Sequence, residues 1–252
     1  MHAIVLSFDQ QIGFAELVYK KYMKLWPECP FTFRVPFNNP KTALVPYFQA
    51  QNNVELIRTP PDIRRTMFNL LKNIPDEEWV YWCIDDRYPM SIKKSEINQV
   101  CQLVPNLPKQ INRVKLFRWK ENLRGEYKVG GVTFFKQNRG DVWGFWHHSF
   151  VRASVLKAAF LTKSIPPKYK IKHVNVALAK DPKVASGSLS NTIVTTDNLI
   201  TFGEPCVQGC LTQNGVKELQ RYNCLMPKYK IVGYAKSFVN KDARARHPFR
   251  KD

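Results

Sequence analysis

A chain of 252 residues with 44% hydrophobic and 13% aromatic content can bury roughly 70–75% of its unfolded surface, so it needs neither disulfides nor a structural metal for stability. That composition excludes intrinsic disorder as the default state, and no window approaches the ~18 consecutive apolar residues of a membrane span. The formal net charge of +19 favours anionic partners (nucleic acid, anionic lipid or phosphorylated small molecules) without choosing among them.

The N-terminus, Met1-His2-Ala3-Ile4-Val5-Leu6, lacks the basic n-region and long apolar core of a signal peptide. It reads as a buried strand over residues 3–8. Phe14, Leu17, Val18, Tyr22 and Leu25 then share one helical face, closed before Pro27. A short strand is expected over 31–36, irregular chain over 40–53 and a strand over 54–58. Thr59-Pro60-Pro61-Asp62 carries an N-cap threonine, proline in the first turn and an acid three residues on, the pattern of a capping box. The helix it opens places Ile63, Met67, Leu70, Leu71 and Ile74 at helical spacing and closes at Pro75.

Residues 79–84, Trp-Val-Tyr-Trp-Cys-Ile, form a continuous apolar and β-branched run, as expected of a strand covered on both faces. Ser91 is expected to open a helix bearing Ile92, Ile97, Val100, Cys101 and Val104, stopped by Pro105. Further strands are expected over 111–119, 129–135 and 142–147, and a helix capped by Ser149 over 149–162. A helix over 172–179, a Ser/Gly-rich loop over 185–191, a strand over 192–202 and a helix over 213–222 complete the pass. The alternation of strands and helices predicts an α/β fold with a mainly parallel central sheet flanked by helices. One domain is expected over 1–235, followed by a basic tail over 236–252 with Lys241, Arg244, Arg246, Arg250 and Lys251, expected to be mobile.

Cys29, Cys83, Cys101, Cys206, Cys210 and Cys224 form no CxxC pair. Cys206 and Cys210 lack a nearby second pair to complete a zinc site. Reduced thiols in a cytoplasmic protein are expected.

Asp85 and Asp86 directly follow the most hydrophobic strand. In open α/β sheets, ligands collect at the carboxyl ends of parallel strands. Two adjacent carboxylates beside low-dielectric core repel each other and are costly to ionise without a counter-charge. Mg²⁺ or Mn²⁺ removes that cost, being commonly held by one or two carboxylates plus substrate phosphates. A plainer alternative pairs Asp86 with Arg87 in a strand-end turn, or uses Asp85 as a helix cap.

The segment Glu78-Trp79-Val80-Tyr81-Trp82-Cys83-Ile84-Asp85-Asp86-Arg87-Tyr88, after the helix over 62–74, resembles the metal-binding segment of GT-A-fold glycosyltransferases. It is most similar to bacterial and phage-type members with an apolar strand, Asp-Asp and an aromatic. Phe145-Trp146-His147-His148-Ser149 and the helix after it resemble the acceptor-side strand and helix of that group. The resemblance extends over roughly residues 1–220 in element order, and is close in motif only over 78–90.

The resemblance implies a nucleotide-diphosphate sugar donor and a glycan or lipid-linked acceptor. It implies that Asp86, assisted by Asp85, holds Mn²⁺ or Mg²⁺ and the donor diphosphate, and that Ser7, Phe8 and Asp9 line the nucleoside pocket. Arg58, Asp62 and Arg65 flank the capped helix start where nucleotide contacts are expected, with surface solvation the alternative for the two arginines. The sequence departs from the family at the catalytic base: residues 167–173, Pro-Lys-Tyr-Lys-Ile-Lys-His, contain no acid. His173, Asp141 or Glu204 then takes the proton, or the enzyme retains configuration and needs no base, or it is inactive.

His147 and His148 point to opposite faces if they lie on one strand. One can then reach the cleft, whereas a satisfied structural role is the more general fate of such histidines. Trp119, Trp143 and Trp146 are core residues or a carbohydrate-stacking surface. Two other functions fit the charge. A nucleic-acid-binding module would use the positive field and exposed aromatics, and a peripheral membrane protein would read anionic lipid through the basic tail.

Overall fold

A computed structural model describes residues 1–118, 123–137, 145, 147–161, 191–207 and 210–232. The first half alternates strand and helix: β1 (His2–Leu6), α1 (Ile12–Leu25), β2 (Thr32–Phe37), α2 (Leu44–Gln49), β3 (Val54–Arg58), α3 (Ile63–Leu70) and β4 (Trp79–Ile84). Then follow β5 (Tyr88–Ile92), α4 (Lys94–Leu103), β6 (Arg113–Lys115), β7 (Leu123–Val129), β8 (Val132–Gln137), β9 (Ser149–Arg152) and α5 (Ala153–Leu161). Strands β10 (Thr192–Thr195), β11 (Ile200–Gly203), β12 (Cys206–Val207) and β13 (Cys210–Thr212), helix α6 (Gln213–Arg221) and β14 (Lys230–Val232) complete the described chain.

The central sheet has nine strands in the order β3-β2-β1-β4-β9-β6-β10-β8-β7. β1, β2, β3 and β4 pair in parallel. β9 runs against both β4 and β6, β10 runs with β6, and β8 runs against β10 and β7. Seven of the nine strands, all but β8 and β9, therefore point one way, and the sheet is mainly parallel as expected.

Both faces carry helices. On β4 the side chains alternate: Trp79, Tyr81 and Cys83 pack with α1, α2 and α4, while Val80 and Trp82 pack with α3 and α5. All six residues of β4 are buried. The period-two side-chain geometry of a strand thus places one apolar run in two cores at once. The chain moves outward from β1 to β2 and β3, then returns across β1 to β4. A crossover that keeps its hand while reversing direction puts its helix on the opposite face. Accordingly α1 and α2 lie on one side and α3 on the other.

Several elements differ from the sequence reading, each for a local reason. Residues 40–53, expected to be irregular, contain α2. The N-cap of α3 is Asp62, whose carboxylate accepts the Arg65 N–H at 2.8 Å. Thr59 sits before the helix, its N–H donating to Phe37 O and its hydroxyl accepting from Thr66. Ser91 lies within β5 and bonds the Thr201 hydroxyl at 2.7 Å, so α4 begins at Lys94.

Ser149 begins a strand, not a helix: β9 is wedged between β4 and β6, and tertiary pairing overrides the helical pattern. The helix after it starts at Ala153, where the Ala153 and Ser154 N–H groups donate to the Glu78 and Asp76 carbonyls. A cap supplied from another turn leaves no local sequence signal. The single strand expected over 129–135 is a hairpin whose turn holds Gly130 and Gly131 at positive φ, +54° and +78°, the conformation a tight hairpin turn demands. The expected strand over 111–119 is shortened to β6, and that over 192–202 divides into β10 and β11. The elements expected over 142–147 and 172–179, the loop over 185–191 and the basic tail fall wholly or mostly outside the described residues.

Candidate active site

The reversal of strand order between β1 and β4 is a topological switch point, and ligands of α/β sheets bind outside the carboxyl ends of strands at such points. The two residues that leave these strands there are Ser7 and Asp85. The Ser7 hydroxyl donates to Asp85 Oδ2 at 2.6 Å, and the Asp85 N–H donates to Leu6 O at 3.3 Å. Asp85 is only 4% exposed. Burial first, and the neighbouring Asp86 charge second, push its carboxyl well above the usual range, against the pull of the Ser7 hydroxyl.

Asp85 and Asp86 are the two central residues of a β-turn closed by the Arg87 N–H on Ile84 O at 3.3 Å. Among the described residues, Asp86 Oδ1 is buried without a hydrogen-bond partner. Burial raises its carboxyl too, partly offset by the Arg87 charge. The pairing of Asp86 with Arg87 that the sequence left open is not what holds Arg87. Arg87 is 6% exposed, and its guanidinium forms an ion pair with Glu204. The strand pair β5–β11 sets that meeting, since Tyr88 lies opposite Gly203 in its register.

His148 enters the same region from the start of β9. It is fully buried, with Nε2 2.9 Å from Ile84 O and Nδ1 2.7 Å from the Tyr22 hydroxyl. A carbonyl oxygen only accepts, so Nε2 carries the proton and Nδ1 accepts from Tyr22. The Tyr22 hydroxyl lies 2.9 Å from that of Tyr81, which completes a donor chain from β4 through α1 to the turn. Burial holds His148 down at about 3, so it is neutral in ordinary buffers. His147 is held at about 2, first by burial and then by the charges of Arg87, Lys115 and Arg113. Its ring lies against Phe117, with centroids 5.1 Å apart. The structural role expected for such histidines therefore describes His148.

The other expected site residues divide by position. Phe8, at the carboxyl end of β1, is 39% exposed, while Asp9 is occupied. The Asp9 carboxylate accepts the Asn38 and Asn39 N–H groups, both at 2.7 Å, and the Thr42 hydroxyl at 3.1 Å, clasping the loop between β2 and α2. Arg58 ends β3 and is exposed, as is Arg65 in α3. Two strand spacings, about 10 Å, separate β3 from β1. The Asp62 carboxylate serves as the α3 cap. Glu204 joins the region through Arg87, whereas His173, Asp141, Trp119, Trp143 and Trp146 lie outside the described residues.

Arg113 and Lys115, both buried, were not singled out in the sequence, nor was the Tyr81–Tyr22–His148 chain, and the buried Arg87 was weighed only as a partner for Asp86. Only the adjacency of Arg87 to the acids was a signal. No helix among the described residues is long and apolar enough to cross a membrane. Among them no group of three or more His, Cys, Asp or Glu side chains is placed to hold a metal ion. The donor set is two carboxylates, one bearing an orphaned buried oxygen, which suits a hard cation completed by water and substrate phosphates.

No family model and no curated protein matches the sequence. Among solved structures, residues 1–349 of S. aureus TarS align with a TM-score of 0.49 and 13% identity, over 80% of this chain. This chain spans 59% of that one. The galactosyltransferase LgtC, in complex with donor and acceptor sugar analogues, gives a TM-score of 0.40 and 12% identity over 94% of this chain and 88% of its own. An active-site mutant of LgtC gives 0.39 and 13% over 94% and 89%.

Proposed function

We propose that the protein is a metal-dependent glycosyltransferase that moves a sugar from a nucleotide-diphosphate donor to a glycan or lipid-linked acceptor. The observation that carries this reading is the orphaned Asp86 Oδ1, buried beside Asp85 at the switch point. An unmet buried acceptor costs about 1–3 kcal/mol, more when it is charged, and the Arg87 charge offsets the burial of Asp86 only in part. The sequence resemblance over 78–90 assigns the remaining counter-charge to Mn²⁺ or Mg²⁺.

Asp85 and Asp86 would hold the ion. When bound it would neutralise charge on the departing diphosphate as a Lewis acid. The chain's own residues do the rest. Ser7 orients Asp85, and Phe8 offers a half-open aromatic face at the end of β1 for a nucleobase. Arg58 and Arg65 stand exposed at the same sheet edge, where long-range attraction brings an anionic donor in. Glu204 is the described candidate for the proton acceptor. Its ion pair with Arg87 holds it in place, and His173 and Asp141 are the competing assignments.

The test is thermal stability against a panel of nucleoside diphosphates with Mn²⁺. At ligand a hundredfold above Kd, binding adds about 2.7 kcal/mol, roughly 5–10 °C in Tm for a domain of this size. A chelator should abolish the gain. Asp86→Ala should fold normally and lose it, and undiminished nucleotide-linked stabilisation in that variant would refute the assignment.

A further inference from the structure

We propose that Tyr22 and His148 are positioning residues that set the Asp85-Asp86 turn from the far side of the sheet core. The proposal rests on the metal-site reading above. One carbonyl, Ile84 O, receives two hydrogen bonds: the Arg87 N–H that closes the turn, at 3.3 Å, and the His148 Nε2–H at 2.9 Å. The first bond bends the chain so that two acids occupy consecutive corner positions. The second fixes where that corner sits.

His148 is itself held from two directions. Its Nδ1 accepts from the Tyr22 hydroxyl at 2.7 Å, and its ring packs against Phe202 of β11, with centroids 4.8 Å apart. Tyr22 in turn meets Tyr81 at 2.9 Å. All three side chains are 0% exposed, so no water competes for these bonds and the order of donors is fixed. Helix α1, which supplies Tyr22, thereby communicates with the turn through one side chain. A core that needed only apolar packing would be as well served by phenylalanine at positions 22 and 148, and three polar groups in a dry interior are costly unless all are satisfied. What the chain secures is a defined acceptor geometry at Ile84.

Four proteins decide the matter, each judged by Mn²⁺ affinity from the free-ion EPR signal and by amide hydrogen exchange. Tyr22→Phe deletes one oxygen, and His148→Phe deletes both bonds. His148→Gln keeps a donor toward Ile84 O, and Asp86→Ala removes a ligand. Tyr22→Phe and His148→Phe should bind Mn²⁺ at least tenfold more weakly and exchange the Arg87 amide at least tenfold faster, while amides within β1 keep their protection. His148→Gln should recover most of both. Asp86→Ala should lose Mn²⁺ yet keep Arg87 protected, which separates ligand loss from turn disorder. Wild-type Mn²⁺ affinity and unchanged Arg87 exchange in Tyr22→Phe and His148→Phe overturn the positioning role and leave the metal site standing. Absence of Mn²⁺ binding in the wild-type protein overturns both.

Discussion

Ser7 and Asp85, 78 residues apart, are joined by a 2.6 Å hydrogen bond across the gap between the ends of β1 and β4. Both are almost fully buried, and among the described residues the Ser7 hydroxyl is the side-chain donor to the Asp85 carboxylate. Ser7→Ala leaves that carboxylate oxygen without it. The expected loss is about 1–3 kcal/mol, the desolvation cost of an unmet buried acceptor. Urea unfolding checks it: the midpoint should fall while the slope with denaturant stays constant.

The raised carboxyl of Asp85 makes a prediction about pH. Burial and the Asp86 charge lift its folded pKa above 3.8, so the folded state keeps a proton that the unfolded chain releases. The stability this contributes is present in full below pH 3.8 and is lost as pH rises through the folded value, at up to about 1.4 kcal/mol per unit for one proton. In chelator, Asp85→Asn should therefore gain on the wild type as pH rises above 4 and level off once Asp85 has ionised. Adding Mn²⁺ should reverse the order at pH 7.5. Melting curves of the two proteins over that range read it directly, and a pH-independent difference would contradict the burial argument.

The part of this site that the sequence made legible was the part written in consecutive residues. An apolar run that fills both faces of a strand can only be central, and acids at its end then lie at the carboxyl edge of the sheet, so the place of β4 and of Asp85-Asp86 was readable together. The helices α1 and α3 and the strand β3 were readable for a similar reason, since their cores repeat at one spacing. What stayed hidden depends on chain folded back from elsewhere. The local pattern of residues 149–152 predicts the start of a helix, because nothing local says that they lie, as β9, between two strands. Asp9 looked like a ligand-facing acid because its partners, Asn38, Asn39 and Thr42, lie about thirty residues away. The His148 chain was unreadable for the same reason, its members coming from three separate elements.

His148 and His147 make a second pH prediction, of opposite sign. Their folded values, about 3 and about 2, lie below the unfolded value of 6.5. The stability each contributes is present above pH 6.5 and is lost as pH falls toward its folded pKa, because only the unfolded chain takes up the proton. Each adds about 1.4 kcal/mol per pH unit to the loss. His148→Gln removes one of the two protons. Its stability, measured by urea unfolding from pH 6.5 to 4.5, should decline less steeply than that of the wild type by that amount. Parallel curves would mean that His148 is protonated in the folded protein, and its Nδ1 could then no longer accept from Tyr22.

Gly203 tests how the Arg87–Glu204 pair is built. A Cβ added at this position would stand 2.5–2.7 Å from atoms of the Tyr88 ring, the ring's hydroxyl among them. Tyr88 is 3% exposed and lies beneath the Lys21 ammonium, 5.3 Å from the ring centroid, so it cannot swing into solvent without breaking that contact. Gly203→Ala should therefore part β11 from β5 at the register Gly203–Tyr88, carry Glu204 away from Arg87, and cost about 1–3 kcal/mol as overpacking does. Tyr88→Leu alone should also destabilise, by leaving space. The two changes together should cost less than their sum, because the smaller side chain admits the methyl group, and a coupling of 0.5 kcal/mol or more is expected for residues in direct contact. Strict additivity in the double-mutant cycle would show that Gly203 is required for its backbone and not for the room it leaves to Tyr88.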